Sequence, residues 1–84
     1  MTQEEQITKD HNASPETLDE FSNDSRWWIR LNVANNPNTS IYTLGNMFQN
    51  VFEDANIRDA ISNNLNKRNS SSLQAVFNNH LTTT

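Results

Sequence analysis

Apolar side chains fall along this chain in small groups, and within most groups they are spaced three or four apart. Leu18 and Phe21 form one group, and Ile29 and Val33 the next. Ile41, Leu44, Met47 and Phe48 follow, then Ile57 and Ile61, and last Leu73, Val76 and Phe77. That spacing places each group on one face of a helix. It predicts five short helices with these residues turned inward. Start signals agree: Ser14 stands before Pro15, which loses nothing at a first helical position. Asp24 or Ser25 precedes the second group, Thr39 or Ser40 the third, and Glu53 with Asp54 the fourth. Asn35-Asn36-Pro37 is a stop signal, because Asn tolerates the left-handed conformation and Pro disfavours helix just before it. "NKRNSSS" (66–72) reads as a polar loop between the fourth and fifth helices. The expected organisation is a flexible acidic segment over 1–12, one helical-repeat domain over 13–80, and a flexible tail over 81–84.

Two helical patterns recur, one twice and the other three times. "IRLNVANN" (29–36) lies over "IRDAISNN" (57–64), and "LDEFSND" (18–24) over "LGNMFQN" (44–50) and "LQAVFNN" (73–79). Two half-units thus alternate with a period of about 26–29 residues, in the range of stacked repeats. One helix pair of this size cannot cover its own apolar face, so neighbouring units must do so. The reading is an all-α stack of two and a half helical repeats.

"DSRWWIRLNVANNPNTS" resembles the leucine-rich repeat variant, a HEAT-like helical repeat. Leu18, Phe21, Asp24, Ile29, Arg30, Val33, Ala34, Asn36, Pro37 and Thr39 fall in register with its pattern. The resemblance covers most of residues 14–65. It weakens in the second unit, which carries about two extra residues near Val51–Phe52 and Leu65 where the pattern has Pro. It implies a short right-handed solenoid of α and 3-10 helices, with no enzymatic activity. Some members precede the repeats with a cysteine-ligated iron–sulfur module, which a chain without Cys cannot build.

Composition narrows the picture. Only 33% of residues are hydrophobic and the mean hydropathy is -0.84, so the core is small. Two Trp, four Phe and one Tyr nevertheless favour a folded domain over a disordered tail. The absence of Cys excludes disulfides, thiolate metal sites and cysteine nucleophiles. "MTQEEQITKD" has no apolar core of a signal peptide, and no run approaches the ~20 residues of a membrane span. A cytoplasmic chain without a membrane span is expected. Net charge is -4 with only six Lys and Arg, scattered in sequence, which argues against direct nucleic-acid binding.

No catalytic, cofactor or metal set emerges. His11 and His80 stand far apart, and the single glycine, Gly45, makes no phosphate-cradling loop. Arg30 and Arg58 occupy equivalent repeat positions and read as struts between units rather than as a recognition row. The strongest functional signal is Trp27-Trp28, in positions outside the Ile29–Val33 stripe, with Leu31 four and three residues on. An exposed aromatic–aliphatic cluster on a helix is the profile of an interface anchor. Tyr42 and Phe52 are candidates to join it. The leading expectation is a non-enzymatic protein-binding module, a small regulator or inhibitor with a protein partner or a second copy of itself. Phage-encoded proteins that restrain a host enzyme or a lysis holin are one such setting, which no residue specifies. The alternative is an acidic face of Glu16, Asp19, Glu20 and Asp24 that imitates a phosphate row and blocks a nucleic-acid-binding protein.

Overall fold

The computed structural model describes the backbone of residues 1–82 and the side chains of residues 1–68. Its elements are α1 (Gln3–Lys9), α2 (Pro15–Phe21), α3 (Trp27–Asn35), α4 (Ile41–Gln49) and α5 (Ala55–Thr82). Among the described residues there is no strand, and the chain is all-α. None of the five is a 3-10 helix, in contrast to the alternation that the resemblance implies.

Local chemistry accounts for the helix starts. Ser14 and Ser40 each accept the N–H of the third residue on, Thr17 and Thr43, at 3.1 Å. Each also donates its hydroxyl to that Thr side chain, at 2.8 and 3.0 Å. These two caps lie 26 positions apart and are built alike. Ser40→Ala is expected to cost about 1 kcal/mol, read as a lowered urea midpoint in circular dichroism. The start of α3 departs from expectation. Its N-cap is Arg26, which makes no side-chain cap bond, and Asp24 instead accepts the Arg26 N–H at 2.9 Å.

Two segments correct the sequence reading. The first twelve residues, expected to be a flexible acidic segment, contain α1. Thr2 caps that helix, and its Thr8 is fully buried against α3. The expected polar loop at 66–72 is helical, because α5 continues through it. Polarity alone does not stop a helix, and residues 55–82 contain neither Gly nor Pro. The Asn pair illustrates the point. Asn35-Asn36 ends α3 with Pro37 following, whereas Asn63-Asn64 is followed by Leu65 and lies inside α5. Nor does the pair act through a left-handed turn: Asn36 is extended, at φ -80 and ψ 124, as a residue before Pro should be. The side chains of Leu73, Val76 and Phe77 lie outside the described residues.

Helix α3 is central and packs against α1, α2 and α5, while α4 packs against α5. The core joins Leu18, Val33, Ala34, Leu44, Met47, Ile57, Ala60 and Ile61. Each large member contributes about 1.5–3 kcal/mol by leaving water. The pairs that align in the sequence, Leu18 and Leu44, Ile29 and Ile57, and Val33 and Ile61, are all buried.

The second Asn of each pair ties its own segment to the end of an earlier helix. Asn36 Nδ2 donates to Thr8 O and Asp10 O, both at 2.9 Å. Asn64 Nδ2 donates to Ala34 O and Asn36 O, at 2.9 and 2.8 Å. The accepting carbonyls, Thr8 and Ala34, then Asp10 and Asn36, are each 26 positions apart. A carboxamide suits this place because its two N–H donors answer two carbonyls freed at a helix end. Both side chains are buried.

Candidate docking surface

The outer side of α3 carries both indoles. Trp27 is 56% and Trp28 42% exposed, and their rings meet edge to face with centroids 5.8 Å apart. The core stripe of Ile29 and Val33 fixes the opposite side of the helix, so the indoles stand on a rigid support. Leu31, expected outward beside them, is half-buried and packs against the core. Trp27, Leu31, Asp54, Asn56 and Ile57 together line a hollow of about 350 Å³.

The remaining predicted residues divide among other places. Tyr42 is 81% exposed and borders a separate open hollow with Glu16, Asp19 and Glu20. Asp24 is not part of that acidic face. Its carboxylate is bound by Arg26 at 2.8 Å, and this hydrogen-bonded guanidinium lowers its pKa to about 2. Asp19 accepts the Thr43 hydroxyl at 2.7 Å, which joins α2 to α4. Phe52 is 93% exposed, in the turn that contains the extra residues.

Helix α4 holds a second correction. Ile41 and Phe48, expected inward, are exposed. At about 100° of rotation per residue, the buried arc of Thr43, Leu44 and Met47 leaves both at its flank. Burial of Thr43, engaged by Asp19, sets that rotation. The sequence spacing 41, 44, 48 could not reveal it, since Thr43 reads as polar. The Arg58 guanidinium lies 5.2 Å from the Phe48 ring centroid, within cation–π range.

Arg30 and Arg58 both tie helices to neighbouring backbone. Arg30 pairs with Glu53 at 3.0 Å and donates to Asp24 O at 2.7 Å. Arg58 donates to Asn50 O at 2.6 Å rather than pairing with Asp54. One grouping escaped sequence reasoning altogether. His11, Lys67 and Arg68 line one hollow of about 500 Å³ with Asn35, Pro37 and Asn63. Burial lowers the Arg68 pKa below its usual value, and Arg68 donates to Thr39 O and Asn36 O. With residues 11 and 67 so far apart in sequence, only the fold brings them together.

Among the described residues, no group of His, Cys, Asp and Glu is arranged to hold a metal ion. None of the described helices is long and apolar enough to cross a membrane. The side chain of His80 lies outside the described residues. No protein family, curated protein or solved structure matches this chain.

Proposed function

We propose that this chain is a non-enzymatic docking module, a small regulator or inhibitor that grips a protein partner through Trp27 and Trp28. In this reading the helices form a short right-handed solenoid of the leucine-rich-repeat-variant kind. The repeated Ser caps and repeated Asn bridges support that view. The observation that carries the function is the pair of adjacent, exposed indoles on a helix whose other side is core. Trp offers a large contact area at little conformational cost and dominates many interfaces. Leu31 steadies the base of the patch. Tyr42 and Phe52 belong to separate contacts.

The test is a crosslinking pull-down with wild type, Trp27→Ala and Trp28→Ala. Both variants should keep the wild-type circular dichroism and melting temperature. A true partner should be retained by wild type and bind at least one variant roughly 30-fold more weakly, the scale of a hot spot. If folded variants retain every partner, the indole face is not the docking site. A second reading, an acidic mimic of a phosphate row, is favoured by the meeting of Glu16, Asp19 and Glu20 beside Tyr42. It requires binding that weakens steeply with salt, whereas indole docking does not.

A further inference from the structure

The acidic residues of this chain leave two long gaps. None stands between Asp24 and Glu53, and none follows Asp59. Both gaps contribute walls to one hollow of about 500 Å³, where Asn35 from α3 and Asn63, Lys67 and Arg68 from α5 stand with His11. A smaller hollow of about 190 Å³ shares His11 and Asn35 with it and adds Lys9 and Asn32. Among the described residues no carboxylate lines either one. Three of the six Lys and Arg do, in a chain of net charge -4.

Arg68 is a half-buried cation bound only to neutral acceptors. Its Nε and Nη2 donate to Asn64 Oδ1 at 3.1 and 2.8 Å. Nη2 also reaches Asn36 O at 3.3 Å, and Nη1 reaches Thr39 O at 2.6 Å. A guanidinium has five N–H groups, so one on Nη1 is left over. No carboxylate offsets the burial that lowers its pKa. Asp10 is engaged within its own loop, where it accepts the Asn12 N–H, and Asp59 lies two turns of α5, roughly 12 Å, from Lys67. Asn64 Nδ2 already answers the carbonyls of Ala34 and Asn36, so closing the end of α3 does not by itself call for a charge. A cation drawn out of water without a counterion is costly, and an anion in the hollow would offset that cost.

We propose that the larger hollow binds a phosphate group, free or carried on a small organic molecule. Lys67 and Arg68 supply the charge, and His11, Asn35 and Asn63 donate to the remaining oxygens. Two cations match a dianion, and ammonium and guanidinium are both good phosphate donors. Imidazole and carboxamide N–H groups add neutral hydrogen bonds. The volume lies within the ~300–1,000 Å³ of small-molecule sites, so an organic body has room beside the phosphate. Nucleic acid would require a longer basic row than these two side chains make. The site is independent of the indole face, which neither hollow includes.

An amide-resolved NMR titration of the full chain with inorganic phosphate, at constant ionic strength, tests it. Wild type should bind with a Kd on the order of 1 mM, and the shifts should concentrate at His11, Asn35 and residues 63–68. Phenyl phosphate separates the two sources: tighter binding than inorganic phosphate assigns an organic phosphate, and equal or weaker binding assigns the free ion. Lys67→Gln should weaken phosphate binding about tenfold, and Lys67→Arg should keep it. Arg58→Gln removes the same charge outside the hollow and should leave the affinity unchanged. Lys67 is exposed, so its variants should keep the wild-type fold. No saturable shift up to roughly 50 mM phosphate would overturn the proposal. So would acetate binding as tightly as phosphate, shifts centred away from these residues, or a folded Lys67→Gln that binds like wild type.

Discussion

Replacing Asn36 by alanine should lower stability by about 3 kcal/mol, while the same change at its neighbour Asn35 should stay within about 0.5 kcal/mol. The two side chains are adjacent in sequence and opposite in environment. Asn36 is 2% exposed. Its Nδ2 serves the carbonyls of Thr8 and Asp10, and its Oδ1 accepts the Asn38 N–H at 2.9 Å. Truncation leaves several buried polar groups unmet, each costing about 1–3 kcal/mol when no water can reach it. Asn35 is exposed, and its loss strands nothing. Asn36→Asp should be no better than alanine: it keeps the acceptor but points a negative charge at two carbonyl oxygens. Urea denaturation followed by circular dichroism measures all three. A domain of this size has a total stability of only about 5–10 kcal/mol. The Asn36→Ala melting temperature should therefore fall by roughly 12–24 °C.

Arg30→Met should be at least as damaging, at about 3–4 kcal/mol, and Glu53→Gln should cost about half as much. The asymmetry follows from burial. The Glu53 side chain is 2% exposed and that of Arg30 22%. Removing the guanidinium leaves a carboxylate enclosed with only the Asp54 N–H for company, and it frees the carbonyls of Asp24 and Ser25. Removing the carboxylate leaves an arginine that can turn toward solvent. The double variant Arg30→Met/Glu53→Met should lose less than the sum of the single changes, since no stranded charge remains. Equal and additive losses in a double-mutant cycle would show that the pair is not coupled.

How much of this was legible in the sequence depends on the kind of signal each residue gives. Leu18 with Leu44, Ile29 with Ile57, and Val33 with Ile61 declared themselves by spacing and equivalence, because an apolar residue has one cheap place to go. Arg30 and Arg58 were legible as struts, although their partners were not. Polar residues were the blind spot. Thr43 is buried through its bond to Asp19, and it turns α4 so that Ile41 and Phe48 face outward. Thr8 is buried by hydrogen bonding to Glu4 O, which is why α1 went unrecognised in an acidic segment. The buried role of the second Asn depended on carbonyls almost thirty residues away. The continuity of α5 was hidden because the sequence signalled polarity there and offered no breaker. Of the candidate surface, the two indoles were readable from their place outside the core stripe. The separation of Tyr42 from them was not, since it depends on which faces of α2 and α4 meet.

The Asn bridges also give the architecture a direction. Asp10 stands at the place of Asn36, and its Oδ1 accepts the Asn12 N–H at 2.9 Å just as Asn36 accepts that of Asn38. A carboxylate, however, has no hydrogen to give. Any layer laid against the outer side of α1 would meet a rung that can receive but cannot reach back. Extending the ladder there would begin with Asp10→Asn, a one-atom edit that restores the missing donor.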